Sequence, residues 1–522
     1  MYCARITNDL RKQSMSNATT ATNTSGSFME MFLGPTPMWY KKAIIAALVI
    51  NVALYFILGP LITSWIILFE FIFTLAMALK CFPLQPGGLL GLQVLAMGLT
   101  DTHHVYEEVV HGLPVILLVI FMVAAVHFLR EMLFKFMNKV LLGIKSRVAM
   151  NVVTVIVVAV LSAFLDALTI LAVLIALATT FYLVYEKVIT KTGREPGLHS
   201  SDDHIEEAHL ADLEAFRAFL RGLLMHGAVA TAIGGVCTLV GEPENIVIGY
   251  HTGWDFVTFA SKVAPATIPT LFAGILMCYL LEKIRPFGKF FGYGAELPDA
   301  VREVLAEEER RIQASETDRD RLMIKVQIIV SVMMIVALSL HLAEIGLIGL
   351  GVIVLASSLL GETNEHKLGM AFVEGLPFAS LLVIFYVIVA MINDQAMFTP
   401  VMEWVLQMDG GMQVFMVFLT NGLLSAISDN VFVATIYMDQ ISPLLESGVL
   451  TRELYEAQSV AVVMGTGIPS MSTPNGQAAF LFLLMSSLAP RIRLGYVTMV
   501  FMAIPYFIVC STVAGVMMYN WL

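Results

Sequence analysis

Charge is scarce in this chain of 522 residues: 14% is Asp, Glu, Lys or Arg, against about 25% in a soluble domain, while 58% is hydrophobic. That balance excludes a water-soluble globular fold, whose surface would need the missing charge. Cysteine is scarcer still. The five residues Cys3, Cys81, Cys237, Cys278 and Cys510 form no CxxC pair, so zinc ribbons, redox dithiols and disulfide frameworks are excluded and the thiols read as packing. No HExxH occurs and no Gly-x-Ser-x-Gly falls in an apolar run, which leaves an intramembrane enzyme without a catalytic motif. The N-terminus has no short apolar stretch followed by a small-residue cleavage site, so no removed signal peptide is expected. The net charge of −11 lies mostly in polar segments and says little about partners. Neither a cofactor nor a nucleic-acid partner is expected.

What the chain has in abundance is long hydrophobic runs. Stretches of about 20 apolar residues, the length that crosses a hydrocarbon core, recur near 43–59, 61–80, 83–99, 112–134, 222–250, 254–282, 323–342, 344–361, 376–395, 457–490 and 494–520. These eleven spans make an all-α polytopic membrane protein in contact with lipid. Residues 1–42 precede them as a flexible tail; its Ser14–Ser27 stretch is too polar to bury a core and carries glycosylation sequons at Asn17 and Asn23. Two further stretches, 148–186 and 412–447, are too long for one span, and each is interrupted near its middle by a polar cluster around an Asp. Both are expected to be re-entrant hairpins, because irregular backbone at membrane depth is tolerated only inside protein or along a water-filled cavity. Lys41, Lys42, Lys80, the Arg130–Arg147 group, the Lys283–Lys325 segment, Arg491 and Arg493 then fall on one side. The positive-inside rule makes that side cytoplasmic, together with the N-terminus, the insert 187–221 and the linker 283–322, and puts the C-terminus in the periplasm. The sequons are therefore cytoplasmic and unmodified.

An internal repeat organises these elements. Gly98-Leu-Thr-Asp-Thr-His103, continuing to Gly112-Leu113-Pro114, matches Gly361-Glu-Thr-Asn-Glu-His366, continuing to Gly375-Leu376-Pro377, at an offset of 263. Leu161-Ser-Ala-Phe-Leu-Asp166 matches Leu424-Ser-Ala-Ile-Ser-Asp429 at the same offset. Beyond the hairpins the offset falls to 231, which aligns Pro243-Glu-Asn245 with Pro474-Asn475; the insert 187–221 accounts for the loss. After one extra span at 43–59, the repeats run from 60 to 282 and from 323 to 522, each with five spans and one hairpin. An odd number of crossings inverts the second copy, the architecture of many secondary transporters, whose sites lie near the midplane.

Asp166 lies in Ser162-Ala-Phe-Leu-Asp166-Ala-Leu-Thr169, with about fifteen apolar residues on either side. An acid at that depth costs at least about 2.5–3.5 kcal/mol and normally serves an ion or proton pathway; it also suits the cap of the second hairpin arm. Burial disfavours its charged form and a bound cation favours it, so protons and sodium would compete there. Its repeat partner, Ser428-Asp429-Asn430, offers the oxygens that hard cations want. Gly and Pro break two spans, at Gly234–Asn245 with Glu242 and Asn245, and at Gly465–Gly476 with Thr473 and Asn475. Such breaks free backbone carbonyls for sodium. Asp166, with oxygens from Ser162, Thr169 and the Glu242–Asn245 segment, is the expected first ion site; Asp429 with Ser428, Asn430, Thr473 and Asn475 is the second. Glu70, His226, Glu344, Glu374 and Asp394 read as interfacial or structural, and His103 and His366 as structural caps.

At these residues the chain closely resembles the NhaB sodium/proton antiporters of bacterial inner membranes. The resemblance runs from about Met38 to the last span and rests on Glu70-Phe-Ile-Phe-Thr-Leu-Ala-Met-Ala-Leu-Lys80, Leu161–Thr169, Gly241-Glu-Pro, Ser428-Asp-Asn-Val-Phe432 and Thr473-Pro-Asn-Gly-Gln-Ala-Ala-Phe480. It implies electrogenic exchange of internal Na+, and of Li+, for external H+, and a homodimer with a scaffold and a moving transport domain. The wider superfamily includes sodium-coupled carboxylate symporters, the alternative function, whose tips carry Ser-Asn-Thr. Here the tips read Leu165-Asp166-Ala167 and Ser428-Asp429-Asn430, and no Lys or Arg lies in the tip strings or broken spans. An acid there repels a carboxylate.

Overall fold

The computed structural model describes residues 28–190, 205–373 and 375–521. Asn17, Asn23, Cys3, Glu374, the Ser14–Ser27 stretch and the centre of the 187–221 insert lie outside them. Among the described residues the fold is all-helical, with a single isolated bridge pairing Thr190 with Ile205. Seven helices among the described residues are long and apolar enough to cross a bilayer unaided, or eight if Thr102–His111 and Leu113–His127, bent by 52°, form one span. Other expected spans are shorter helices, such as Pro60–Ala76, Leu84–Ala96 and Ile345–Leu360. The helix that holds the first expected span is Met38–Leu58. Lys41 within it is buried, and its ammonium donates to the carbonyls of Met29, Glu30 and Gly34, which ties the preceding segment, including the one-turn helix Phe28–Met31, to this helix.

Local chemistry sets the helix ends. Gly59, at φ +82°, lets the chain reverse before Pro60, which opens the next helix with its φ already fixed. Asp101 accepts the N–H groups of His103 and His104, and Asn364 accepts that of His366. The repeated motif is thus a Gly in the left-handed region, Gly98 or Gly361, followed by an Asx cap. The capping role read onto His103 and His366 belongs to Asp101 and Asn364, because a helix start needs side-chain acceptors and the histidines contribute only backbone donors. Asp166 and Asp429 cap the helices Ala167–Ile189 and Asn430–Glu446. Four pairs of helix starts, Thr102 and Glu365, Leu113 and Leu376, Arg147 and Gly410, Ala167 and Asn430, lie 263 positions apart.

Burial separates centre from periphery. In the helix ending at Gly235, 89% of the apolar window is buried, against 17% in Met38–Leu58 and 22% in Asp318–Ser339. At the centre, Arg147–Ser162 packs on Leu210–Gly235, and Gly410–Ser425 packs on Arg452–Gly467. Glycine makes both contacts possible. A Cβ at Gly234 would lie 2.2 Å from the Ala159 carbonyl oxygen, and one at Gly465 would lie 2.8 Å from that of Phe418. No side chain fits where backbones approach so closely.

Candidate functional site

Two four-residue turns interrupt apolar segments at the expected positions, 163–166 between Arg147–Ser162 and Ala167–Ile189, and 426–429 between Gly410–Ser425 and Asn430–Glu446. Two spans are broken opposite them. The expected 222–250 span is Leu210–Gly235 and Pro243–Thr252, joined by an irregular link; the expected 457–490 span is three pieces, Arg452–Gly467, a 3-10 turn at Pro469–Ser472, and Ala478–Met485. Gly, Pro and small polar residues concentrated in the links cannot sustain a continuous ladder.

Hydrogen bonds stitch each turn to a broken span. Ser162 Oγ donates to the Thr231 carbonyl at 3.0 Å, and Thr238 Oγ1 donates to that of Ala163. Asn421 Nδ2 donates to the Val462 carbonyl at 3.1 Å, and Thr473 Oγ1 donates to that of Ala426. Within the first break, Asn245 Nδ2 holds the carbonyls of Gly235 and Thr238 at 2.8 and 2.7 Å. Within the second, Gln477 Nε2 holds the Gly467 carbonyl and Ser470 Oγ, each at 3.0 Å. The amide reaches back ten and seven residues in both cases. Gln477 is therefore the structural counterpart of Asn245, in place of the expected Asn475. Asn475 turns away, donating to the carbonyls of Leu75 and Ala76 at 3.4 and 2.8 Å and accepting from Tyr496 at 2.9 Å. The alignment through Pro243 and Pro474 hid this, because proline stands two residues before Asn245 but three before Gln477, which puts the proline-anchored register one residue out.

The acids converge more than their sequence separation suggests. Asp166, 9% exposed, accepts from Thr169 N at 3.2 Å and faces its hydroxyl at 3.5 Å. Asp429, half-buried, accepts from the N–H groups of Val431 and Phe432 at 2.9 and 3.3 Å. Ser428 is buried beside it but donates to the Leu424 carbonyl. Glu242 lies within electrostatic reach of Glu244, Asp166 and Asp429, and Glu244 within reach of Asp429 and Asp166. Asn430 Nδ2 bonds Glu244 Oε1 at 3.0 Å, joining the second turn to the first broken span. Three oxygens in this group, Glu242 Oε1, Asn245 Oδ1 and Asn430 Oδ1, are buried with no hydrogen-bond partner. Carboxylate and amide oxygens left without donors are the ligand type that hard cations take. Among the described residues no three His, Cys, Asp or Glu side chains close on one point as a metal cage.

Bacterial Na+/H+ antiporter B (NhaB) is the family whose model matches, over residues 20–521. The chain belongs to the NhaB family. Curated relatives carrying the name Na(+)/H(+) antiporter NhaB include those of Pseudomonas entomophila, 49% identical over 95% of this chain and 99% of the relative, and Saccharophagus degradans, 50% identical over 96% and 98%. That of Vibrio atlanticus is 49% identical over 94% and 93%. NhaB proteins are transporters, and the apolar helices agree with a multi-pass inner-membrane protein.

Glu244 and Gln477 were missed from sequence. Glu244 stands between two residues that were singled out, Glu242 and Asn245. The signal for Gln477 was the ten-residue spacing from glycine to amide, Gly235 to Asn245 and Gly467 to Gln477. Of the ionisable residues set aside, His226 is fully buried between Tyr506 Oη at 2.6 Å and Glu282 Oε1 at 3.0 Å, and Glu282 is bridged to Arg147 at 2.9 Å. Glu70 accepts from Asn51 at 2.6 Å, and Asp394 accepts from Thr100 at 2.6 Å. Glu344 is exposed.

Proposed function

We propose that this chain exchanges cytoplasmic sodium for periplasmic protons, electrogenically and with lithium as an alternative cation, through a membrane-embedded site built from two inverted repeats. The observation that carries the reading is that Asp166 and Asp429 both lie within electrostatic reach of Glu242 and Glu244, beside buried oxygens that lack donors. Buried carboxylates that feel one another cannot all remain charged in a dry site without a cation. Either protons or sodium must neutralise them. Asp166 holds one or the other. Facing the cytoplasm it releases its proton and takes sodium, with oxygens from Ser162, Thr169, Glu242 and Asn245. Facing the periplasm, a proton displaces the sodium and the neutral carboxyl returns. An empty charged site crosses slowly, which keeps the exchange coupled. Asp429 with Ser428 and Asn430 serves as a second cation site, on the Glu244 side. Basic residues favour a cytoplasmic N-terminus and a periplasmic C-terminus, and the superfamily resemblance favours a homodimer. No Lys or Arg in the turns 163–166 and 426–429 or in the links 236–242 and 468–477 is available for a carboxylate substrate.

The decisive variant is Asp166→Asn, studied in proteoliposomes. Asn caps a helix as well as Asp does, so the bond to Thr169 N survives while the exchangeable proton and the full charge are lost. Sodium-driven proton movement should disappear from a protein that folds and reconstitutes normally. Exchange close to wild type would move the assignment to Asp429 or Glu242.

A further inference from the structure

Pro243–Thr252 and Asn430–Glu446 carry the exchange-site groups only at their first residues, yet they stay together for their whole shared length. Asn430 meets Glu244 at 3.0 Å, and further along both helices Asp439 meets His251 at 3.4 Å. The pairs advance in the same direction, so the helices are parallel. At 1.5 Å per residue the outer pair lies about 10–14 Å from the inner one. There the helices part around a cavity of about 20 Å³ lined by Glu108, His111, His251, Tyr386, Thr435 and Asp439. That is room for a single water or a stripped cation.

We infer that this cavity is the antechamber through which sodium and protons pass between the exchange site and the face bearing the helix Thr102–His111. The inference rests on the exchange proposed above. Acids form a graded string from that face inward. The side chains of Asp394 and His104 are 34% and 28% exposed and meet at 2.8 Å; His104 reaches Glu108 at 3.4 Å, and the Glu108 side chain is 11% exposed. Asn393 holds Glu108 at 3.0 Å and is itself held by Gln440, one residue from Asp439. Asp439 Oδ2 is buried with no hydrogen-bond partner. Neither Glu108 nor Asp439 is paired with Lys or Arg among the described residues. A helix–helix staple would need only His251 and Asp439, whereas the second acid, the open oxygen and the cavity all suit a cation waiting to move. Val247 and Thr435 are 4% and 5% exposed. Both line the cavity and stand along their helices between the His251–Asp439 pair and the Glu244–Asn430 pair, so the proposed passage inward requires the two helices to separate.

Asp439→Asn and Glu108→Gln, singly and together, test this in right-side-out and everted vesicles. Acids at a mouth raise local cation concentration by about tenfold or more. The double variant should raise half-saturating sodium about tenfold in one vesicle orientation and less than about twofold in the other, with Asp439→Glu retaining most of the wild-type value. Equal shifts in both orientations, or none, overturn the inference. If the neutral variants fail to fold, Thr435→Cys gives an independent reading, with modification of its peptide followed by mass spectrometry. A cationic thiol reagent should react there several-fold faster than an anionic one of equal size, and sodium should slow it; equal rates overturn the inference. Asp166→Asn run in parallel scores the exchange mechanism separately, because the antechamber is judged on the sidedness of the shift in variants that keep Asp166.

Discussion

The matching amides Asn245 and Gln477 offer a sharp test of how the two broken spans are held. Asn245→Ala removes two hydrogen bonds to main-chain carbonyls in a fully buried setting, those of Gly235 at 2.8 Å and Thr238 at 2.7 Å. A bond exchanged with water contributes about 1 kcal/mol net, whereas stranding its buried acceptor costs about 1–3 kcal/mol in its place. Two stranded acceptors cost about 2–6 kcal/mol, and relaxation of the link brings the expected total to about 2–4 kcal/mol. If that energy goes into the geometry of the ion site, half-saturating sodium rises roughly 30- to 1,000-fold, at about 1.4 kcal/mol per decade. Gln477→Ala removes the bonds to the Gly467 carbonyl and Ser470 Oγ and should fall in the same range. Asn475→Ala is the contrast. Its partners, the carbonyls of Leu75 and Ala76 and the Tyr496 hydroxyl, belong to helices other than the tips and broken spans, so sodium dependence should stay within about threefold of wild type, less than the 1 kcal/mol of one bond. The assay is sodium-induced dequenching of a pH-sensitive dye in everted vesicles, with thermal unfolding of the purified protein as the stability readout. The reasoning is refuted if Asn245→Ala and Gln477→Ala leave both readouts unchanged, or if Asn475→Ala is the most damaging of the three.

Three other outcomes follow from the same structure. Glu282→Gln leaves Arg147 and His226 facing a neutral partner in a buried site, and should destabilise the protein by about 3–5 kcal/mol, seen as a lowered melting temperature in detergent. Gly465→Ala drives a Cβ to within 2.8 Å of the Phe418 carbonyl and should cost about 1–3 kcal/mol by overpacking, whereas Gly351→Ala, inside Ile345–Leu360 with nothing within 4 Å, should be neutral or stabilising by up to about 1 kcal/mol. On the linker, the bond from Lys135 at 2.5 Å holds the Glu316 carboxyl below the usual carboxylate range. A depressed folded-state value stabilises the docked linker above the unfolded value, and that contribution is lost as pH falls through the folded one. Proteolysis of the linker should therefore accelerate in acid, and Lys135→Gln should remove that acid-side step; an unaltered step in the variant would dissociate the pair from linker docking.

By itself the sequence determined the membrane class, because apolar run length against bilayer thickness is a one-dimensional property. It also located the breaks. Asp166 and Asp429 interrupt apolar runs, Gly and Pro interrupt spans, and both signals come from residue type alone. Helix starts such as Ala167 and Asn430 follow from the Asp before each, since a side-chain acceptor satisfies orphan N–H groups wherever it occurs. Even Asn364, which replaces Asp101 in the second copy, keeps the cap. What only the tertiary structure decided is which polar atoms face one another. The equivalence of Asn245 with Gln477 shows in the carbonyls and hydroxyl each amide reaches back to, whereas proline stands at a different distance before each, so an alignment anchored on proline picked Asn475. The Asn430–Glu244 bond joins residues 186 positions apart, and Glu108, His251 and Asp439 come from three elements that share no local motif. Contacts of that kind arise when packed helices bring remote positions together, and the energy of an acid in a membrane is set by those neighbours rather than by its place in the chain.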